Sequence, residues 1–168
     1  MSPADSMASD SAAADIVIIG CGNPNRSDDG VGPHVVNLLR ENGVPDNVRL
    51  FDGGTDGMSV IYRARGATHL IIIDARIPEA APGAIFEVPG EMLESVPKQS
   101  LNLHDFRWDN ALYAGRRIYG DAFPKTVSVL LIEAESLDLG LGLSPCVTQA
   151  ARLAEAQIRE IVAGWAVP

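Results

Sequence analysis

Four consecutive β-branched residues, Ile16, Val17, Ile18 and Ile19, run straight into Gly20-Cys21-Gly22-Asn23, and the adjacent acids Asp28 and Asp29 follow. A run with no polar alternation has no solvent face. It reads as a strand buried on both sides, as in a parallel sheet. Gly20, Gly22 and Asn23 make the turn, and Asp28 or Asp29 reads as the N-cap of a helix. Val31, Val35, Leu38 and Leu39 supply the helical stripe, Pro33 falls in or near the first turn, and Gly43 suits the stop. Strand, glycine turn and helix together are the opening unit of a wound α/β sheet.

The rest of the chain continues in that style. Residues 48–51 form a second strand that runs into the turn cluster Asp52-Gly53-Gly54-Thr55-Asp56-Gly57, and a short helix is expected over 58–64. Residues 70–73 make a third, wholly apolar strand ending at Asp74. Pro82-Gly83 turns the chain into a fourth strand over 84–88. No helix separates strands three and four, so a hairpin with an antiparallel edge is expected there. Residues 89–104 are irregular. A helix over 105–119 places Trp108, Ala111, Leu112, Gly115 and Ile118 on one face. Residues 127–132 form the fifth strand. Ser144-Pro145 starts a final helix whose stripe is Val147, Ala151, Ala154, Ile158, Ile161, Val162 and Trp165. The expected fold is α/β, with a twisted, mostly parallel five-stranded sheet between helical layers and one antiparallel edge strand.

At 168 residues this is one domain, residues 15–168, preceded by a Ser/Ala/Asp-rich tail over 1–14 that is expected to be disordered. The net charge of −9 and pI of about 4.7 disfavour nucleic acid or an anionic membrane surface as partner. Cys21 and Cys146 are too far apart in sequence for a metal motif or a disulfide framework. With no signal peptide in the first residues, a cytoplasmic location is expected. No apolar run approaches the length of about 18 residues that insertion into a membrane requires.

In wound sheets, ligands bind beyond the carboxyl ends of the strands. Asp28 and Asp29 follow strand one, Asp52 ends strand two and Asp74 ends strand three, so these acids converge on one rim. Gly20-Cys21-Gly22 is the start of a dinucleotide fingerprint, but Asn25 stands where its third glycine would be. Two acids also lie where a phosphate would sit, which counts against a nucleotide. One N-cap accounts for one acid and not for two. Asp28 reads equally as cap or functional group, and Asp29 as functional. An acid leaving a buried strand, as Asp74 does, must be hydrogen-bonded, paired or metal-bound. Asp52 and Asn23 read as supports of their turns. His34 and His69 read as structural, His69 lying at the wrong end of its strand. His104 can reach the rim, and two carboxylates with one imidazole make a three-ligand site with open positions. Neither cysteine has a neighbouring histidine to activate it, and no Gly-x-Ser-x-Gly or His-Glu-x-x-His motif is present.

Four segments in this order resemble the hydrogenase maturation proteases: Gly-Cys-Gly-Asn-Pro-Asn-Arg-Ser-Asp-Asp-Gly-Val-Gly at 20–32, Asp-Gly-Gly-Thr-Asp-Gly at 52–57, Leu-Ile-Ile-Ile-Asp-Ala at 70–75, and Ile-Glu-Ala-Glu-Ser-Leu-Asp-Leu-Gly-Leu-Gly-Leu-Ser-Pro at 132–145. The resemblance implies a twisted five-stranded sheet between helices. It implies an endopeptidase that trims the C-terminus of a nickel–iron hydrogenase large-subunit precursor after nickel insertion. It also implies a metal-reading site of Asp29, Asp74 and His104, the nickel being that already inserted in the precursor. The same carboxylates can act as ligands or as a general base in metal-assisted peptide hydrolysis. A non-catalytic chaperone that binds the nickel centre through the same rim is the alternative. The chain departs from that family in three places. Asp29 stands where Glu is frequent, which is about 1.5 Å less reach. His104 lies between Leu103 and Asp105 rather than after a serine, and Ala134 replaces a frequent proline.

Overall fold

The computed structural model describes residues 14–89 and 109–166. In chain order the elements are β1 (Ile16–Cys21), a 3-10 turn (Ser27–Gly30), α1 (Val31–Asn42), β2 (Val48–Gly54), α2 (Gly57–Ala64), β3 (His69–Arg76), β4 (Ile85–Pro89), α3 (Asp109–Tyr119), a second 3-10 turn (Gly120–Ala122), β5 (Thr126–Glu133) and α4 (Pro145–Trp165). The strands form one sheet in the order β2-β1-β3-β5-β4. β1 runs parallel to β2 and β3, and β3 parallel to β5. β4 closes one edge antiparallel to β5.

All six residues of β1 are buried, which explains its unbroken apolar run. Its alternate residues serve opposite layers. Ile16 and Ile18 pack with Val31, Val35, Leu39, Val147, Ile158 and others from α1 and α4. Val17 and Ile19 pack with Val60, Ile61, Leu112 and Phe123 on the α2–α3 side. A fully buried Val, Leu or Ile contributes about 1.5–3 kcal/mol. The two clusters therefore dominate stability, and the strand ends are left to carry polar groups.

Three expectations need correction. β4 does not form a hairpin with β3; both edges of β3 are taken, by β1 and β5, so the chain passes β5's position and returns along its outer edge. The edge position suits β4, since Pro89 cannot complete a central ladder. β3 continues past Asp74 to Arg76, pairing Asp74 with Leu131. Ile118 lies on the open side of α3 and is exposed, while Ala111 and Leu112 are buried. Trp108 and residues 1–13 of the expected tail lie outside the described residues. Ala14 is anchored by a hydrogen bond that its carbonyl accepts from Asn47.

Candidate active site

The first loop is pressed onto the sheet by glycines. A Cβ on Gly32 would lie 2.3 Å from the carbonyl oxygen of Cys21 and 2.6 Å from that of Ile73. Only hydrogen fits there, so α1 begins wedged between the ends of β1 and β3. Gly22 has φ +134°, and a Cβ on it would lie 1.8 Å from the Asp29 carbonyl oxygen. These glycines bring the 3-10 turn, with its two acids, down onto the strand ends. They do so by close packing, with no phosphate needed to explain them.

The adjacent acids take different partners. Neither caps α1, whose N-cap is Gly30 with no side-chain cap bond, so the N-cap expectation is corrected. The Asp28 carboxylate instead reaches across the chain. It accepts hydrogen bonds from Glu135 N (2.9 Å), Ser136 N (3.2 Å), Ser144 N (2.7 Å) and Ser144 Oγ (2.9 Å). It is fully buried and staples residues 135–144 to the first loop. Ser27, at φ +53°, is the one non-glycine with positive φ among the described residues. That strained conformation is held by two bonds to the same segment, Ser27 N to the Gly140 carbonyl and Ser27 Oγ to that of Asp138, each 2.8 Å.

Asp29 is 3% exposed, and its Oδ2 accepts the Asn23 N–H at 2.8 Å. Asn23 is itself fixed, its Oδ1 accepting from Asn25 N and its carbonyl from Arg26 N. Asn23 therefore supports Asp29, as its place in the turn predicted. Asp74, 4% exposed, stands on β3 just beyond Ile73, with Oδ1 accepting the Ala75 N–H at 2.8 Å. Asp29 and Asp74 are thus both buried at the carboxyl ends of neighbouring strands. Asp52, paired with Gly20 across the sheet, accepts the Gly54 N–H at 2.9 Å and holds its turn.

His34 lies on α1, and His69 opens β3 at the far end of the sheet, where its ring stacks on Trp165 with centroids 4.7 Å apart. His104 lies outside the described residues. Among the described residues, no group of three or more His, Cys, Asp or Glu side chains could hold a metal ion. The rim there offers two carboxylate donors, Asp29 and Asp74.

One rim acid was missed. Glu133 ends β5, is buried, and its Oε2 accepts the Ala81 N–H at 2.7 Å. It clamps the connection between β3 and β4. Its signal, an acid closing an apolar strand, is the one that singled out Asp74.

Residues 33–161 match the model of the HycI family, hydrogenase maturation protease. A protein of Escherichia coli (strain K12), hydrogenase 2 maturation protease, is 31% identical over 134 residues, covering 79% of this chain and 80% of its own length. The solved structure of the hydrogenase maturating endopeptidase HybD from E. coli superposes with a TM-score of 0.74 at 29% identity, over 89% of this chain and 92% of that one. The NiFe hydrogenase maturation protease HybD from Thermococcus kodakarensis shares the fold, with a TM-score of 0.70 at 22% identity over 88% of this chain and 98% of its own. Among the described residues, no helix is long and apolar enough to cross a membrane.

Proposed function

This chain belongs to the hydrogenase maturation protease family, and on that premise we propose that it removes the C-terminal extension of a nickel–iron hydrogenase large-subunit precursor after nickel insertion. The observation that carries this reading is the pair of buried carboxylates, Asp29 and Asp74, at the ends of neighbouring strands. Burying a carboxylate is costly, so two on one rim mark a place where charge is needed.

In this reading the nickel is part of the substrate. Carboxylate oxygens from Asp29 and Asp74 and the imidazole of His104 take it up, a donor set that suits a borderline divalent metal. Recognition through the metal restricts cleavage to precursor that is already loaded. The peptide bond next to the last metal-binding motif is then held against the rim. There a carboxylate not engaged by the metal takes the proton from the attacking water. Asn23 keeps Asp29 in place, and Asp52 shapes the neighbouring turn. The reaction belongs to the cytoplasm, where the precursor is assembled.

The test is to incubate the purified protein with nickel-loaded precursor and weigh the product. Loss of a C-terminal peptide, with none lost from nickel-free precursor, is the expected result. An unchanged mass would overturn the proposal in favour of a chaperone that binds and does not cut.

A further inference from the structure

The segment after β5 is fastened along its length, yet two of its largest side chains are left in the open. Leu139 is 86% exposed and Leu141 is 83% exposed. The backbone between them is held to the first loop, since Gly140 N donates to the Asn25 carbonyl and Ser27 N to the Gly140 carbonyl. Arg26 Nε donates to the Leu137 carbonyl at 3.1 Å, and Ser27 Oγ to that of Asp138. Asp28 closes both ends of the segment through Glu135, Ser136 and Ser144. The backbone's polar groups thus turn inward while the leucines turn outward. Gly142, at φ +89°, sets a chain direction that a residue with a side chain would resist.

A rigid backbone that presents uncovered leucines fits a docking surface better than a packing failure. We propose that residues 137–143 form the platform that grips the protein substrate beside the Asp29 loop, through an apolar segment of the precursor that seats on Leu139 and Leu141. The inference rests on the endopeptidase reading above. Three observations select this occupant. The platform is bonded to Asn25, Arg26 and Ser27, within four residues of Asp29, so whatever sits on it lies next to the rim. Its tip, Leu-Gly-Leu-Gly-Leu at 139–143, carries no charge in a chain of net charge −9, so the contact is apolar rather than ionic. A groove of about 260 Å³ continues from it between the same two loops, lined by Pro24, Ser27, Pro33, Gly142 and Leu143, with His34 at its side.

The experiment compares wild type with the double variant L139S/L141S on nickel-loaded precursor, measuring kcat and KM separately together with Tm. The expected result is a rise in KM of about tenfold or more, with kcat within about twofold and Tm unchanged. L139M/L141M, which keeps the apolar surface, is expected to restore KM. A wild type that processes the precursor, beside a double variant of equal KM, would overturn the platform and leave the endopeptidase reading intact. A wild type that never processes the precursor would overturn both. Sedimentation of the free protein supplies the remaining arm. If the wild type self-associates and the double variant does not, the leucines serve a contact between copies and the proposal fails.

Discussion

At the carboxyl end of the sheet, Asp28, Asp29 and Asp74 are buried and take hydrogen bonds from backbone N–H groups, whereas at the amino end Asp15 and Arg49 pair in the open. That amino-end pair is 3.0 Å apart with side chains 43% and 46% exposed. The hollow at the same end, about 220 Å³, is lined mainly by apolar residues such as Ile18, Leu39, Val44, Ile158 and Val162. The same five strands therefore end in two different ways. The amino end shows that this sheet can be closed with its charges in water and its gaps apolar, the cheaper arrangement. The carboxyl end departs from it, and the departure marks where the chemistry is placed.

The largest effect that would sharpen this contrast is on activity. Asp29→Ala is expected to lower precursor processing by about 100-fold or more, the range for losing a metal-holding or proton-transferring carboxylate. Its stability should fall by only about 1 kcal/mol, because one hydrogen bond from Asn23 is lost. Mass measurement of the large subunit and a thermal melt separate the two. Intact processing by Asp29→Ala would remove this acid from the site while leaving the function standing. The neighbouring acid should behave in the opposite way. Asp28→Ala strands three backbone donors and a hydroxyl, so a loss of about 3 kcal/mol is expected, roughly 10 °C in Tm. A melt within a degree or two of wild type would break the assignment of Asp28 as the staple.

These two acids also show what could be read from the chain alone. The strand, glycine turn and helix around them were legible because β-branched runs and glycines act locally, and Asp74 was legible as an acid ending an apolar strand. The role of Asp28 was not legible. A helix cap is a local pattern and therefore the natural reading, but the partners that displaced it lie 107 to 116 residues away. The neighbour of β4 was hidden for a similar reason: strand strength is written in each segment, and pairing is not. The short connection suggested a hairpin, whereas β5, arriving later in the chain, takes the place beside β3. Glu133 carried the same signal as Asp74 and was passed over because its strand was read as ending one residue earlier. His104, the third expected member of the site, falls outside the described residues.

The amino end supplies the smaller effects. Arg49→Ala removes an exposed pair with Asp15 and is expected to cost about 0.5 kcal/mol, with processing unchanged. A loss comparable to that of Asp28→Ala would erase the difference between the two ends.

The smallest expected effect is a pH dependence at His69. Burial lowers its pKa below the ordinary 6.5, so the folded protein holds it neutral more strongly than the unfolded chain does. Above the unfolded value it is neutral in both states, and its contribution is fully present. As pH falls below that value the unfolded chain takes up the proton first, and stability is lost until the folded pKa is passed. Tm should therefore be lower at pH 5.5 than at pH 7.5, and His69→Gln should flatten part of that slope. Glu155 works in the same direction but in a lower window. Burial raises its carboxyl, while hydrogen bonds from Asn42 and Arg159 and the charge of Arg159 outweigh that and leave it below its ordinary 4.5. Its loss begins only under that value, so the interval from pH 7.5 to 5.5 excludes it. The difference in slope between wild type and His69→Gln also cancels whatever the other histidines contribute. An identical slope in the two proteins would mean that the Trp165 stack tolerates the imidazolium as well as water does, and that charge at the amino end is as free as its open Asp15–Arg49 pair suggests.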